Sequence, residues 1–343
     1  MRIALTTPVA DPARAGEQFA ELAAAGYDTA FTFESKHDPF LPIAAGAAAA
    51  PELRLGTAVA IAFARNPMVL ANIGNDLQLL TEGRFVLGLG SQIRPHITKR
   101  FSEPWSRPAE RMAELIRALH AIWDTWEHGT PLRFEGEFYR HTLMTPAFDP
   151  GPNPFGRPPV FVGGVGPKMV ATAGEVADGL LVHPFTTRRS MEQLTLPALD
   201  AGLARAGRGR AAVELVWVTM VVTWDDDATD AERAAALRSA RGQLSFYGST
   251  PAYAPVLEVE GYGDLHPELN RLSKAGRWDD MADLIDDDLL GRICVVAPRR
   301  HVAAAVAART AGVTDSIGLV NSRNPDPGHW ADVVADLRAL DGT

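Results

Sequence analysis

Residues 161–170 read FVGGVGPKMV. Apolar side chains lead into Gly163, Gly164 and Gly166, and Pro167 and Lys168 then open a run of helical character through Glu175. A short apolar strand that turns into a helix over a glycine corner is the repeating unit of a parallel α/β fold. The corner also raises a chemical question. Glycines let the backbone come close to a partner, and the free N–H groups at a helix N-terminus attract anions. Lys168 puts a cation in the first helical turn, where the helix dipole disfavours it unless an anion is bound. A tight turn that needs glycine for its dihedral angles is the competing explanation. The spacing is neither a P-loop nor a dinucleotide-binding fingerprint, and GLGSQI at 88–93 is not one either.

Working outward, the same unit recurs. Strand patterns run over 2–7, 28–34, 53–62, 84–90, 159–164, 179–184 and 213–223, and apolar runs at 292–296 (RICVV) and 315–321 look similar. Helical patterns lie between them. Asp11 can cap the first helix, and Pro67 and Pro108 each stand at the first helical position that proline favours. The helix after Pro108 carries Met112, Leu115, Ile116, Leu119, Ile122 and Trp123 on one face. Residues 41–50 read as an alanine-rich helix, and 132–147 as a hairpin-like insertion. The alternation loosens over 226–290, the expected position of a lid-like insertion. About eight strand–helix units, with strands apolar on both faces, imply parallel strands joined by right-handed crossovers. The expected fold is therefore α/β, a (β/α)8 TIM barrel forming one domain over 1–343.

Composition narrows the function. The chain has 343 residues, of which 46% are hydrophobic and 22% charged, with a net charge of −9. An acidic balance argues against nucleic acid and anionic membranes as main partners. The single cysteine, Cys294, excludes an internal disulfide and a cysteine metal cluster, and its apolar neighbours suggest a small core residue. No His-x-His pair is present, so no metal site is expected. No apolar segment is long enough for a signal peptide or a membrane span, and a cytoplasmic location is the default expectation.

In such a barrel the active site lies at the C-terminal ends of the strands. Those ends carry Glu34, Lys36, His37 and Asp38; Arg65 and Asn66; Ser91, Gln92, Arg94 and His96; the glycine corner with Lys168; His183 and Thr186; and Asn321 and Arg323. Polar and titratable groups from several strands thus converge on one face, as an enzyme pocket requires. Phe40, Phe63, Phe101, Trp105 and Phe185 are candidates for an apolar substrate wall, or for ordinary packing at the rim.

GTAVAI (56–61), Asn66-Pro67, LQLLTEGRFVLGLGSQ (77–92), the Gly-Gly-x-Gly-Pro-Lys corner and SQIRPHITKRFSEPWSRP (91–108) together resemble the bacterial luciferase-like monooxygenase superfamily, in particular its actinobacterial branch dependent on coenzyme F420. The resemblance implies a cofactor ring at the barrel mouth with its phosphate held by Gly163, Gly164, Val165, Gly166, Pro167, Lys168 and Met169. It implies a cis peptide at Ala58-Val59 behind the ring, and contacts to the ring or its ribityl chain from Ser91 and Gln92. It makes His37 the candidate acid/base, with Glu34 sharing the task or orienting it. The match at His37 is offset, because relatives read Asp-His or Glu-His there. A glutamate of sugar-phosphate-oxidising relatives falls near Ile93, which argues against that substrate. FMN ends in a phosphate, whereas the deazaflavin continues into a negatively charged tail. Arg94, Lys99, Arg100, Lys168, Arg188 and Arg189 could read that tail.

The expected activity is hydride transfer between the deazaflavin and a small-molecule substrate. An FMN-dependent monooxygenase supplied by a separate reductase, a non-catalytic flavin-binding protein and a phosphate-binding aldolase or isomerase are the alternatives. No lysine lies within a strand, which disfavours a Schiff-base aldolase. The small residues of 43–50 suggest close helix packing, either internal or across a homodimer.

Overall fold

A computed structural model describes residues 1–6, 11–320 and 327–341 of the chain; Thr7, Asn321 and Arg323 lie outside the described residues. The strands are β1 (Arg2–Thr6), β2 (Thr29–Thr32), β3 (Arg54–Thr57), β4 (Ala60–Ile61), β5 (Phe85–Gly90), β6 (Phe134–Glu135), β7 (Arg140–His141), β8 (Val160–Gly164), β9 (Gly179–Val182), β10 (Glu214–Trp224), β11 (Val295–Pro298) and β12 (Ser316–Val320). The parallel order β1-β2-β3-β5-β8-β9-β10-β12 closes on β1, so eight strands form a complete barrel. The expected (β/α)8 architecture is therefore the observed one.

Helices α1 (Ala15–Ala24), α2 (Leu41–Gly46), α3 (Pro67–Leu80), α4 (Pro108–His128), α5 (Pro167–Val176), the single turn α6 (Arg188–Ser190) and α7 (Leu196–Arg205) follow successive strands. Asn66 caps α3 by accepting the Met68 N–H, with Pro67 at the first helical position. Asp11 caps a short 3-10 turn that leads into α1 and does not cap α1 itself. The alanine-rich helix is shorter than expected, because α2 ends at Gly46 and tightens into a 3-10 turn over Ala47–Ala49. Of its small residues, Gly46 is explained within the chain, whereas Ala44, Ala45, Ala48 and Ala49 are exposed. A Cβ at Gly46 would sit 2.5 Å from the Phe19 ring of α1.

Two strand readings are corrected. Residues 53–62 do not form one strand. The path breaks between β3 and β4, where the Ala58–Val59 peptide is cis, and β4 resumes pairing with β5. RICVV is not a barrel strand either. Arg292 and Ile293 end a helix, and β11 pairs only with the far end of β10, Val221 opposite Val295. The eleven-residue β10 thus serves two purposes. Its first half is a barrel stave against β9 and β12, and its second half carries β11.

Between β10 and β11 lies the insertion: α8 (Asp230–Gly248), α9 (Ala254–Glu260), α10 (Leu265–Lys274), α11 (Trp278–Asp283) and α12 (Asp287–Ile293). Leu244, Leu257, Leu269, Met281 and Leu289 form its own apolar core, which continues into Phe185, Met220 and Val222 of the barrel. Helices α13 (Val302–Thr310) and α14 (Ala331–Asp341) complete the outer ring.

The barrel interior follows the period-two rule for strands. Ala4, Phe31, Val86, Phe161, Leu181 and Val216 meet in one layer inside, while Leu55, Leu87, Val162, Leu180, Leu215 and Ile317 face the helices. At Gly88 two strands approach so closely that a Cβ would lie 1.7 Å from the Thr57 carbonyl oxygen. Thr57 Oγ1 donates to the Gly88 carbonyl at 2.6 Å and accepts the Gly88 N–H at 3.0 Å, stitching β3 to β5.

Candidate active site

One layer above the interior residues, the same alternation puts Phe33, the Ala58–Val59 step, Gly90, Gly163, His183, Met220 and Val320 around the floor of the mouth. Val59 spans the middle of this floor. Its two methyl groups occupy the space where side chains at Gly90 and Gly163 would stand, with added Cβ atoms 2.4 and 3.0 Å away. Ala58 and Val59 are half-buried on top of the interior layer. They form an apolar ledge between the ends of β5 and β8, and the peptide joining them is cis, as the resemblance implied of that bond.

The glycine corner begins beside that ledge. None of Gly163, Gly164 and Gly166 has a positive φ, so the turn does not require glycine for its dihedrals. Close packing explains two of them. Gly163 makes room for Val59, and Gly164 lies under Leu180 and Val170, which an added Cβ would meet at 3.3 and 3.4 Å. Gly166 is different. It is the N-cap of α5, its backbone is extended, and nothing lies within 4 Å of an added Cβ. With no side chain it cannot cap the helix, and no described hydrogen bond uses the N–H of Val165, Gly166, Lys168 or Met169. The corner therefore fits an anionic cofactor handle: bare donors face open space at the positive end of a helix, and the one glycine that the protein itself does not explain keeps that space clear. Lys168 is exposed on the outer flank of the corner. It lines a groove of 610 Å³ between α4, α5 and α7 with Glu110, Glu114, Glu175 and Arg205.

After β5, Gln92 takes a left-handed φ of 58° and its side-chain oxygen accepts the Ile93 N–H, while Ser91 Oγ donates to the Gln92 carbonyl. Both residues are half-buried at the rim, and Arg94 is exposed just beyond them. A π-helical turn over His96–Arg100 follows. Arg100 reaches across the rim to donate to the Ser35 carbonyl at 3.1 Å. Arg94, Lys99 and Lys168 have no ion-pair partner among the described residues. Arg188 is committed elsewhere, to Glu192 and to the carbonyls of Arg309 and Ala311.

The two candidate acid/base residues are not joined. Glu34 is 7% exposed; its carboxylate accepts the Ile61 N–H at 2.8 Å and pairs with Arg65 at 2.6 Å. Arg65 also holds Asp38 at 3.0 Å and lies over the Phe40 ring. This cluster ties the loop after β2 to the end of β4. His37 stands exposed on that loop with no described hydrogen bond. Among the aromatic candidates Phe40, Phe63 and Phe185 are buried packing residues, with Phe63 edge-on to Trp105 at 5.9 Å; Phe101 and Trp105 remain half-buried at the rim.

His183, one of the polar residues expected at the strand ends, is the titratable group of the floor. Its Nδ1 accepts the Phe185 N–H at 3.1 Å. The ring stacks on Tyr253 at 4.6 Å and meets Tyr247 edge-on at 4.8 Å, both supplied by the insertion. The residue keeps some accessible surface, yet enough protein packs around the ring for desolvation to push its pKa down to about 3. The sequence signal was the two-residue step from the inward Leu181.

Among the described residues no cluster of His, Cys, Asp or Glu could hold a metal, and no helix is long and apolar enough to cross a membrane. Residues 2–316 match the model of the luciferase-like monooxygenase family. An uncharacterised protein of Mycobacterium tuberculosis is 52% identical over 305 residues, 89% of each chain. A second protein of that species, provisionally named a coenzyme F420-dependent oxidoreductase, is 31% identical over 346 residues, 94% of each chain. The coenzyme F420-dependent tetrahydromethanopterin reductase of Methanopyrus kandleri shares the fold at a TM-score of 0.77 and 19% identity, covering 97% of this chain and 96% of that one.

Proposed function

The chain belongs to the luciferase-like monooxygenase family, and from that premise we propose that it is a coenzyme F420-dependent oxidoreductase acting on a small organic substrate at the barrel mouth. The observation that carries this reading is Gly166, an extended glycine with empty space above it beside the unused N–H groups of Lys168 and Met169. Those donors hold the cofactor phosphate. The Ala58–Val59 ledge backs the ring, Ser91 and Gln92 flank it, and Arg94, Lys99 and Lys168 take the acidic tail. The unpaired state of these three cations favours the deazaflavin over FMN, as does the 31% identical relative.

When bound, the cofactor supplies a two-electron hydride equivalent, so the chain itself positions the substrate and moves a proton. His37, open to water on the loop after β2, exchanges that proton with solvent. Glu34 acts indirectly by fixing the same loop through Arg65. Fluorescence titration of the purified protein with coenzyme F420 and with FMN tests the reading. Tighter binding of F420 is expected. Tighter binding of FMN replaces the cofactor assignment, and binding of neither overturns the oxidoreductase reading.

A further inference from the structure

His183 is built to present one defined hydrogen-bond donor. A backbone N–H can be accepted only by a ring nitrogen without a proton, so the Phe185 contact assigns the proton to Nε2. Tyr253 on one face and Tyr247 at the edge hold the ring in place, and Tyr247 is itself held by Gln243, whose amide donates to its hydroxyl at 3.1 Å. Nε2 has no hydrogen-bond partner among the described residues, and the residue is only half-buried. Inward alternation from Leu181 sets the ring on the floor of the mouth, across the barrel from the exposed His37. A neutral imidazole held in this way serves as a donor toward a substrate oxygen on which charge develops.

We propose that His183 Nε2–H is the fixed donor for the oxygen of a carbonyl or alcohol substrate, and that Tyr247 and Tyr253 make the insertion one wall of the substrate site. This rests on the oxidoreductase reading of the mouth. It assigns His183 to binding and polarising the substrate oxygen, and leaves proton exchange with water to the rim.

The test uses the full-length protein labelled with 15N-histidine, with acetophenone as the carbonyl probe. NMR is expected to show His183 as the Nε2–H tautomer, untitrated from pH 8 to pH 5, with its Nε2 resonance moving as acetophenone is added. The variant His183→Phe keeps the aromatic packing and removes the donor. Its acetophenone affinity is expected to fall about three- to tenfold, the worth of one neutral hydrogen bond, with F420 affinity unchanged. An Nδ1–H tautomer, titration near neutral pH, an unmoved Nε2 resonance, or equal acetophenone affinity in the variant overturns the proposal. If F420 fails to bind the wild type, the oxidoreductase reading fails by itself; if F420 binds and only the His183 readouts fail, that reading stands and the donor assignment falls.

Discussion

A Cβ added at Gly166 meets no atom within 4 Å beyond its chain neighbours, whereas one at Gly164 presses on Leu180 and Val170. The two glycines thus separate binding from folding. Gly166→Val is expected to shift the melting temperature by no more than about 2 °C, as exposed positions do. It is also expected to weaken cofactor affinity about tenfold or more, because a charge-assisted contact to the phosphate is blocked. Fluorescence titration beside a thermal melt checks both, and unchanged affinity in the folded variant removes the corner from the site. Glu34 is the opposite kind of residue, one that looks catalytic in sequence and is bonded as a brace. Glu34→Gln leaves Asp38 as the one carboxylate paired with Arg65, and is expected to cost about 2 kcal/mol in urea unfolding. At this scale the sequence was informative wherever chemistry is local. The glycine corner and the titratable loop after strand two were both visible. What Glu34 is bonded to was not, because Arg65 lies thirty-one positions along the chain. The significance of His183 was hidden for the same reason, since Tyr247 and Tyr253 arrive from an insertion with no periodic link to the barrel.

Among the elements, the insertion is held by more than its apolar core. Arg309 of α13 donates through one nitrogen to the carbonyls of Thr186, Arg292 and Ile293, joining the loop after β9 to the end of α12. Nearby, Glu260 of α9 accepts from Thr187 Oγ1 at 2.5 Å and from Arg292 at 2.9 Å. Arg309→Met keeps the side-chain length and leaves these carbonyls without their donor. It is expected to destabilise the fold by about 2–3 kcal/mol, read as a lowered urea midpoint. Strand and helix types were legible from apolar spacing alone, including all eight staves. Membership was not. RICVV looks like any other buried strand, and only pairing with the overlong β10 shows that it belongs to the insertion. The break between β3 and β4 was equally invisible to periodicity, which read 53–62 as one strand; family resemblance anticipated the cis peptide there and not the break.

For the whole molecule, acid is the informative stress. His183 has a folded pKa of about 3 against 6.5 when exposed. A lowered folded value means that stability is complete above pH 6.5 and is lost as the pH falls toward 3, because only the unfolded chain takes up the proton. The loss is expected to approach about 1.4 kcal/mol per pH unit in that window. Burial, reinforced by nearby Arg157, acts in the same sense on His120. Asp178 acts at lower pH. Burial alone would raise its pKa, but Arg157 and the Val160 N–H outweigh that, so its contribution is complete above 3.8 and is lost only below it. Melting temperatures from pH 7.5 to 4.5 should therefore fall for the wild type and fall less for His183→Phe; parallel curves contradict the assignment. The overlong β10 has a mechanical meaning at this scale. One unbroken backbone is both a stave of the barrel and the beam from which the insertion hangs, so that cover is expected to move with the barrel, as a fixed awning does, and not to swing as a door. On the oxidoreductase reading, a substrate is then expected to enter from the opposite side, under the eaves formed by residues 33–40 and 91–105, so changes in those short loops should alter its entry more than changes in the insertion.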